Sequence, residues 1–217
     1  MIVLALDGAL GSFTCALERD GEQCGVGDVP AKMALERGLA ALAACVAGAG
    51  VQPEQIDRLA VGIGPGTFTG LRIAVAFAKS LAAAWRKPLC GISSFDALEA
   101  GYPGDGPLLC VVRGRTGVIS ARYRSGAASA RASGYIADVL AELAPRFGGA
   151  PLAVLGAPED VLSALGERGQ QVQCVQPAYP TARAIARVAA AREPEANVHA
   201  IRADYGELPA ARVPKGL

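Results

Sequence analysis

Histidine is almost missing from this chain of 217 residues: His199 stands alone, with no second His and no Cys pair near it in sequence. That argues against a zinc site built on imidazole. An excess of either charge is also missing, since 21 Lys and Arg face 20 Asp and Glu, a formal charge of +1. No global field therefore draws the chain to nucleic acid or to anionic lipid, and any RNA contact has to be local or supplied by a partner. The longest run without a polar side chain, Gly38 to Val51, spans 14 residues of mostly Ala and Gly. About 20 are needed to cross a bilayer, so the expectation is a protein with no membrane segment. No basic residue precedes the apolar amino-terminal run, and Asp7 interrupts it early; it does not read as a secretory signal, and a cytoplasmic location is expected. The six cysteines, Cys15, Cys24, Cys45, Cys90, Cys110 and Cys174, include no CxxC pair and are expected as buried, reduced thiols.

Against these absences stands an apolar content of 52% with only 19% charged residues, which is enough to form a substantial core. Ile2–Asp7 is an apolar run ending in an acid, followed by Gly8, Ala9 and Gly11, the pattern of a buried strand entering a tight turn. Ser12–Arg19 and Glu22–Val29 flank Asp20-Gly21, a dipeptide that tolerates the positive φ angles of a two-residue hairpin. Leu35, Leu39, Leu42 and Val46 recur at helical spacing after Pro30 and predict a helix over Ala31–Ala47. A strand over Arg58–Ile63, a helix over Thr69–Lys87 and a strand over Leu89–Ile92 complete a βββαβαβ order.

Tyr102-Pro103-Gly104-Asp105-Gly106-Pro107 is the strongest turn signal and sets the expected boundary between a lobe of residues 1–103 and a smaller one of residues 104–217. The second half again opens with a hairpin, Leu108–Arg113 and Val118–Arg124. It continues with helices over Ala137–Arg146, Pro158–Arg168 and Thr181–Arg192 and strands over Leu152–Leu155 and Gln171–Gln176. The tail from Ala196 has no reliable period. The expected fold class is α/β with two related lobes.

One connection is unusually constrained. Gly62-Ile63-Gly64-Pro65-Gly66-Thr67-Phe68-Thr69-Gly70-Leu71-Arg72 joins a strand to a helix. Its glycines open backbone angles closed to other residues, and Pro65 fixes one of them. Thr67 or Thr69 is placed to cap the helix, whose first amides, with Arg72, favour an anion or a partner carboxylate. The loop lacks the Lys of a Walker motif, and Thr67 stands where GxGxxG needs its third glycine. A structural turn and an anion- or partner-binding loop both remain open. The following helix carries Ala74, Ala78 and Ala82 on one face, with Leu71, Val75 and Leu81 on or beside it, a surface suited to close helix approach. With Leu35, Leu39 and Leu42 it forms the expected partner interface; coverage of the chain's own sheet is the alternative.

The run Val61–Ile73, with Ala76-Phe77-Ala78-Lys79 and Ile92-Ser93-Ser94 behind it, resembles the TsaB family, also called YeaZ. The match is specific over Ile2–Leu98. The resemblance implies two actin-like, ribonuclease-H-like lobes, the second smaller and degenerate. It also implies a subunit of the tRNA threonylcarbamoyladenosine machinery that pairs through first-lobe helices with the catalytic subunit TsaD, alongside the ATPase TsaE. Where the family has a hydroxyl residue after the first-strand acid, this chain has Gly8 and Ala9, which leaves Asp7 as a candidate vestigial nucleotide site. The second lobe reads Val112-Arg113-Gly114-Arg115, without the acid that usually precedes Ala-Arg, so only Arg115 carries over. Ala31-Lys32-Met33-Ala34 has none of the histidines with which TsaD holds its metal.

The expectation is a scaffold or activating subunit with no catalytic residue, metal or cofactor of its own. It pairs with TsaD-like and TsaE-like partners, forms a homodimer when alone and meets tRNA only indirectly. The competing reading is a small actin-like phosphotransferase or ATPase using Asp7 and the Gly64 loop, although kinases of that fold take acids from both lobes. Arg113, Arg115, Arg122 and Arg124 form the only local basic group noted, expected to line a solvated face.

Overall fold

The computed structural model describes residues 1–175 and 181–206. Its backbone forms two five-stranded mixed sheets. The first has the order β3-β2-β1-β4-β5, built from β1 (Ile2–Asp7), β2 (Ser12–Arg19), β3 (Glu22–Pro30), β4 (Arg58–Gly64) and β5 (Leu89–Ser93). The second runs β8-β7-β6-β9-β10, from β6 (Leu108–Arg113), β7 (Val118–Ser125), β8 (Ala128–Tyr135), β9 (Leu152–Leu155) and β10 (Val172–Val175). The two orders are the same: three antiparallel strands, then two parallel ones reached by helical crossovers. The central β1 is apolar from Ile2 to Leu6 because both faces of its sheet are covered. Asp20 (φ 53°) and Gly21 (φ 87°) make the expected hairpin turn.

Among the described residues six α-helices cover the sheets in a crossed arrangement. On one face of the first sheet lie α1 (Ala34–Gly48), over β2 and β3, and α2 (Phe68–Trp85), over β4 and β1. Its other face is covered by α6 (Ala182–Ala190), whose Ala182, Ile185, Ala186 and Ala189 pack on Val3, Ala5, Ala60 and Ile92. In the second sheet α4 (Ile136–Leu143) and α5 (Glu159–Glu167) cover one face. The other receives α3 (Ser94–Glu99), whose Phe95 and Leu98 pack on Leu108, Cys110 and Val112. Each lobe's third helix thus completes the core of the other lobe, and the two touch where they cross. In sequence α6 follows the expected boundary; in space it belongs to the sheet that precedes it.

Several expectations need correction. The first helix begins at Ala34, because Pro30 stays extended as the last residue of β3 and Ala31–Met33 form a 3-10 turn. The edge strand β8 was not expected: its inward positions are Ala130 and Ala132, and alanine alternating with Ser and Arg is a weak strand signal. Six-residue α3 is too short to show a period, though Ser93 caps it by accepting from the Phe95 amide at 3.1 Å. Cys24 and Cys174 are exposed, while Cys15, Cys45, Cys90 and Cys110 are buried free thiols. Gln176 and the tail beyond residue 206 lie outside the described residues. No helix among the described residues is long and apolar enough to cross a membrane.

Candidate functional site

The constrained loop closes against protein on three sides. The Thr67 amide donates to the Ala9 carbonyl (2.7 Å), and the Thr67 hydroxyl donates to the Gly8 carbonyl (3.2 Å) instead of capping α2. Ser94 Oγ donates to the Pro65 carbonyl at 2.8 Å. The glycines serve this closure. A Cβ on Gly70 would sit 2.0 Å from the Gly8 carbonyl oxygen, and one on Gly66 would sit 2.6 Å from that of Ala9. Backbone meets backbone here, so any side chain would separate the loop from the turn after β1.

The third side is the carboxyl-terminal segment. Ile201 is buried in the first-lobe core, and the chain then crosses the loop. The Asp204 amide donates to the Ile63 carbonyl (2.6 Å), its carbonyl oxygen lies where a Gly64 Cβ would fall, and Tyr205 packs on Phe68 with ring centroids 4.6 Å apart. Arg131 of β8 pairs with Asp204 at 2.6 Å, and Gly206 lies against Pro65 and the Ser120 hydroxyl. Burial pushes the Asp204 carboxyl up, but the hydrogen bond and charge of Arg131 outweigh it and hold the group below its ordinary value. Residues 201–206 thus tie the loop of the first lobe to β7 and β8 of the second. Of the expected anion-loop residues, Gly64, Pro65, Gly66 and Gly70 are buried among protein atoms; Thr67, Phe68, Thr69 and Arg72 are exposed.

Asp7 lies at the end of β1, 3% exposed. Its carboxylate accepts from the Ala9 amide at 3.1 Å and rests against Gly62, a position Ile185 of α6 also reaches. Loss of hydration raises its pKa to about 7, the Ala9 and Gly8 amides working the other way. This carboxyl is sealed from solvent. Among the described residues no group of three or more His, Cys, Asp or Glu is arranged to hold a metal ion.

The expected interface residues divide. Leu71, Ala74 and Ala78 are 0% exposed, and Val75 and Leu42 are also buried. This corrects their assignment to an outer surface: the small-residue face of α2 lies on its own sheet, where small side chains let helix and strands approach closely. Leu35 (70% exposed) and Leu39 (47%) remain outside. Between α1 and α2 runs an apolar groove of about 340 Å³ lined by Leu39, Ala43, Ala47, Leu81 and Trp85, among others. Large aliphatic side chains exposed beside an open apolar groove are what a helical partner covers.

The basic group of the second lobe is consumed internally. Arg122 pairs with Asp96 (2.8 Å) and Glu99 (2.9 Å), Arg124 with Glu99 (3.4 Å), and Arg113 with Asp160 (2.8 Å). Arg122 and Arg131 lie over the Phe95 ring at 5.1 and 5.3 Å, and Arg115 lies over Tyr135 at 5.9 Å. Arg192 of the segment after α6 also reaches Asp96. Arg122 and Arg124 thus tie β7 to α3 instead of lining a solvated face, whereas Arg113 and Arg115 are exposed, as expected.

Two lobes with one strand order and exchanged third helices define the class of actin-like ATPase folds. Residues 25–194 match the family described as TsaD: tRNA N6-adenosine threonylcarbamoyltransferase. A Mycobacterium tuberculosis protein without assigned function is 34% identical over 183 residues, covering 82% of this chain and 80% of that one. The Haemophilus influenzae tRNA threonylcarbamoyladenosine biosynthesis protein TsaB is 32% identical over 98 residues, 45% of this chain and 42% of that protein. The structure of YeaZ from Pseudomonas aeruginosa superposes with a TM-score of 0.70 at 20% identity, covering 94% of this chain and 99% of that one. The chain belongs to the TsaD-type family, among its TsaB (YeaZ) members.

Proposed function

We propose that this chain acts in tRNA threonylcarbamoyladenosine biosynthesis as a non-catalytic subunit that binds and activates a TsaD-type catalytic subunit, working beside a TsaE-type ATPase. The observation that carries this reading is the apolar groove between α1 and α2, flanked by exposed Leu35 and Leu39. The partner presents a matching pair of first-lobe helices, and the four helices pack as a bundle that buries both grooves. When the partner is absent a second copy of this chain takes its place, giving a homodimer.

Support for the non-catalytic part comes from the cleft. Phosphoryl transfer on this fold needs ionised acids from both lobes around magnesium. Here the first-lobe acid, Asp7, is desolvated, and residues 201–206 cross the glycine loop. The competing phosphotransferase reading requires both barriers to move. Reconstitution tests the proposal: threonylcarbamoyl transfer to tRNA by a TsaD-type and a TsaE-type subunit should depend on this chain, which alone should leave ATP unconsumed. Turnover of ATP by the isolated chain, or full transfer without it, would overturn the reading.

A further inference from the structure

A second groove lies on the opposite flank of α2, between that helix and the carboxyl-terminal segment, with a volume of about 450 Å³. Arg72 and Lys79 of α2 and Arg202 of the segment line it, and its remaining lining residues are aliphatic apart from Tyr205. No acid is among them. Arg72 and Arg202 are exposed and Lys79 is half-buried. None of the three makes an ion pair or a hydrogen bond with another described residue, in contrast to the paired arginines of the second lobe. In a chain of net charge +1, three cations paired with no acid among the described residues concentrate positive potential in one place.

The three are also arranged. Arg72 and Lys79 stand two helical turns apart, about 10 Å along the axis, on one side of α2. The Arg72 guanidinium lies over the Phe68 ring at 4.9 Å, and Phe68 packs in turn, tilted by 39°, on Tyr205. The ring contact holds the guanidinium in place while its N–H donors meet no acceptor among the described residues, which suits it to grip a phosphodiester. A spacing of two turns fits a run of phosphates along a strand better than one small anion. The cation and aromatic ledge at one end is the kind of surface on which an unpaired base stacks, and an acidic peptide has no use for it.

We propose that this groove binds a single RNA strand, with Arg72, Lys79 and Arg202 on consecutive phosphates and the Arg72–Phe68–Tyr205 ledge beside a base. The inference rests on the tRNA role above, and gives this subunit a direct contact with RNA where only an indirect one was expected.

The test is fluorescence anisotropy of a labelled single-stranded RNA oligonucleotide with the full chain and its R72E/K79E/R202E variant, at several salt concentrations. Each phosphate contact on a single strand contributes about 0.7 to the slope of log K against log salt. The variant should therefore lose about 2 from that slope, and these contacts account for roughly a 20-fold weakening of the unaltered chain between 50 and 200 mM salt. Equal binding by the two proteins, or no binding by either, overturns the proposal; so does polyglutamate that displaces RNA as effectively as unlabelled RNA does, since the occupant is then an acidic segment. The groove lies away from the α1/α2 groove, so the variant should still co-elute with a TsaD-type subunit. L35D/L39D should lose that partner and keep its RNA affinity, which separates failure of this proposal from failure of the subunit reading.

Discussion

The two lobes share a strand order and differ in what their helices leave outside. In the second lobe Val139, Leu140 and Leu143 of α4 and Val161 and Leu165 of α5 are all buried, so those helices have spent their main apolar positions on their own sheet. In the first lobe α1 buries Leu42, Cys45 and Val46 yet exposes Leu35 and Leu39, with an open groove beside them. The second lobe demonstrates that this topology closes without such a surplus. The extra leucines are therefore not a requirement of the fold, and under the proposed subunit role they form the face offered to a partner.

This contrast can be broken most severely from inside. Leu140→Asp places a charge in the second-lobe core and Ala78→Arg forces one between α2 and its sheet; each should cost about 4 kcal/mol or more and leave little folded protein in urea titrations. Leu39→Asp should lower the stability read from the same titration by less than about 1 kcal/mol, being half outside already. Similar losses at Leu39 and Leu140 would mean that the first-lobe face is structural after all.

A pH titration sharpens the comparison at the sealed cleft. Burial lifts Asp7 from 3.8 to about 7, so the folded state holds a proton that the unfolded state gives up earlier. Stability therefore falls as pH rises from about 4 to about 7 and is flat above that, by at most about 4 kcal/mol from this group. Glu18, also raised by burial, acts in the same direction. The difference between the unaltered chain and Asp7→Asn, whose amide oxygen still accepts from Ala9, isolates the Asp7 part: the variant should show the shallower decline. The smallest effect is expected at the crossing segment. Asp204→Ala removes the Arg131 pair, about half exposed to solvent and worth under about 1 kcal/mol. It should speed hydrogen exchange of the residue 204 amide without altering that of the central strands.

How much of this was legible in sequence depended on which physical signal each part carries. Strands β1, β2, β4, β6 and β9 were readable from apolar runs bounded by turn residues, and β2–β3 from Asp20-Gly21. Strand β8 was not, because its alternation is carried by alanines, which are small and poor strand formers. The exchange of α3 and α6 between lobes is a long-range choice that no local period encodes. Alanines at a spacing of four on α2 marked a close-packing face correctly, but periodicity does not say against what; the sheet took Ala74 and Ala78. The Gly64 loop announced constraint, yet glycines that admit a phosphate and glycines that admit a neighbouring backbone look alike until Gly8 and Gly70 are seen in contact. The basic groove of Arg72, Lys79 and Arg202 joins residues 130 positions apart in the chain and could not be found by local reading.

The surplus face of the first lobe is tested most directly by the mass, from light scattering on a sizing column, of an equimolar mixture of this chain with a TsaD-type subunit. A one-to-one complex with the unaltered chain, and two separate species with L35D/L39D, is the predicted result. A complex of undiminished mass with that variant would contradict the account.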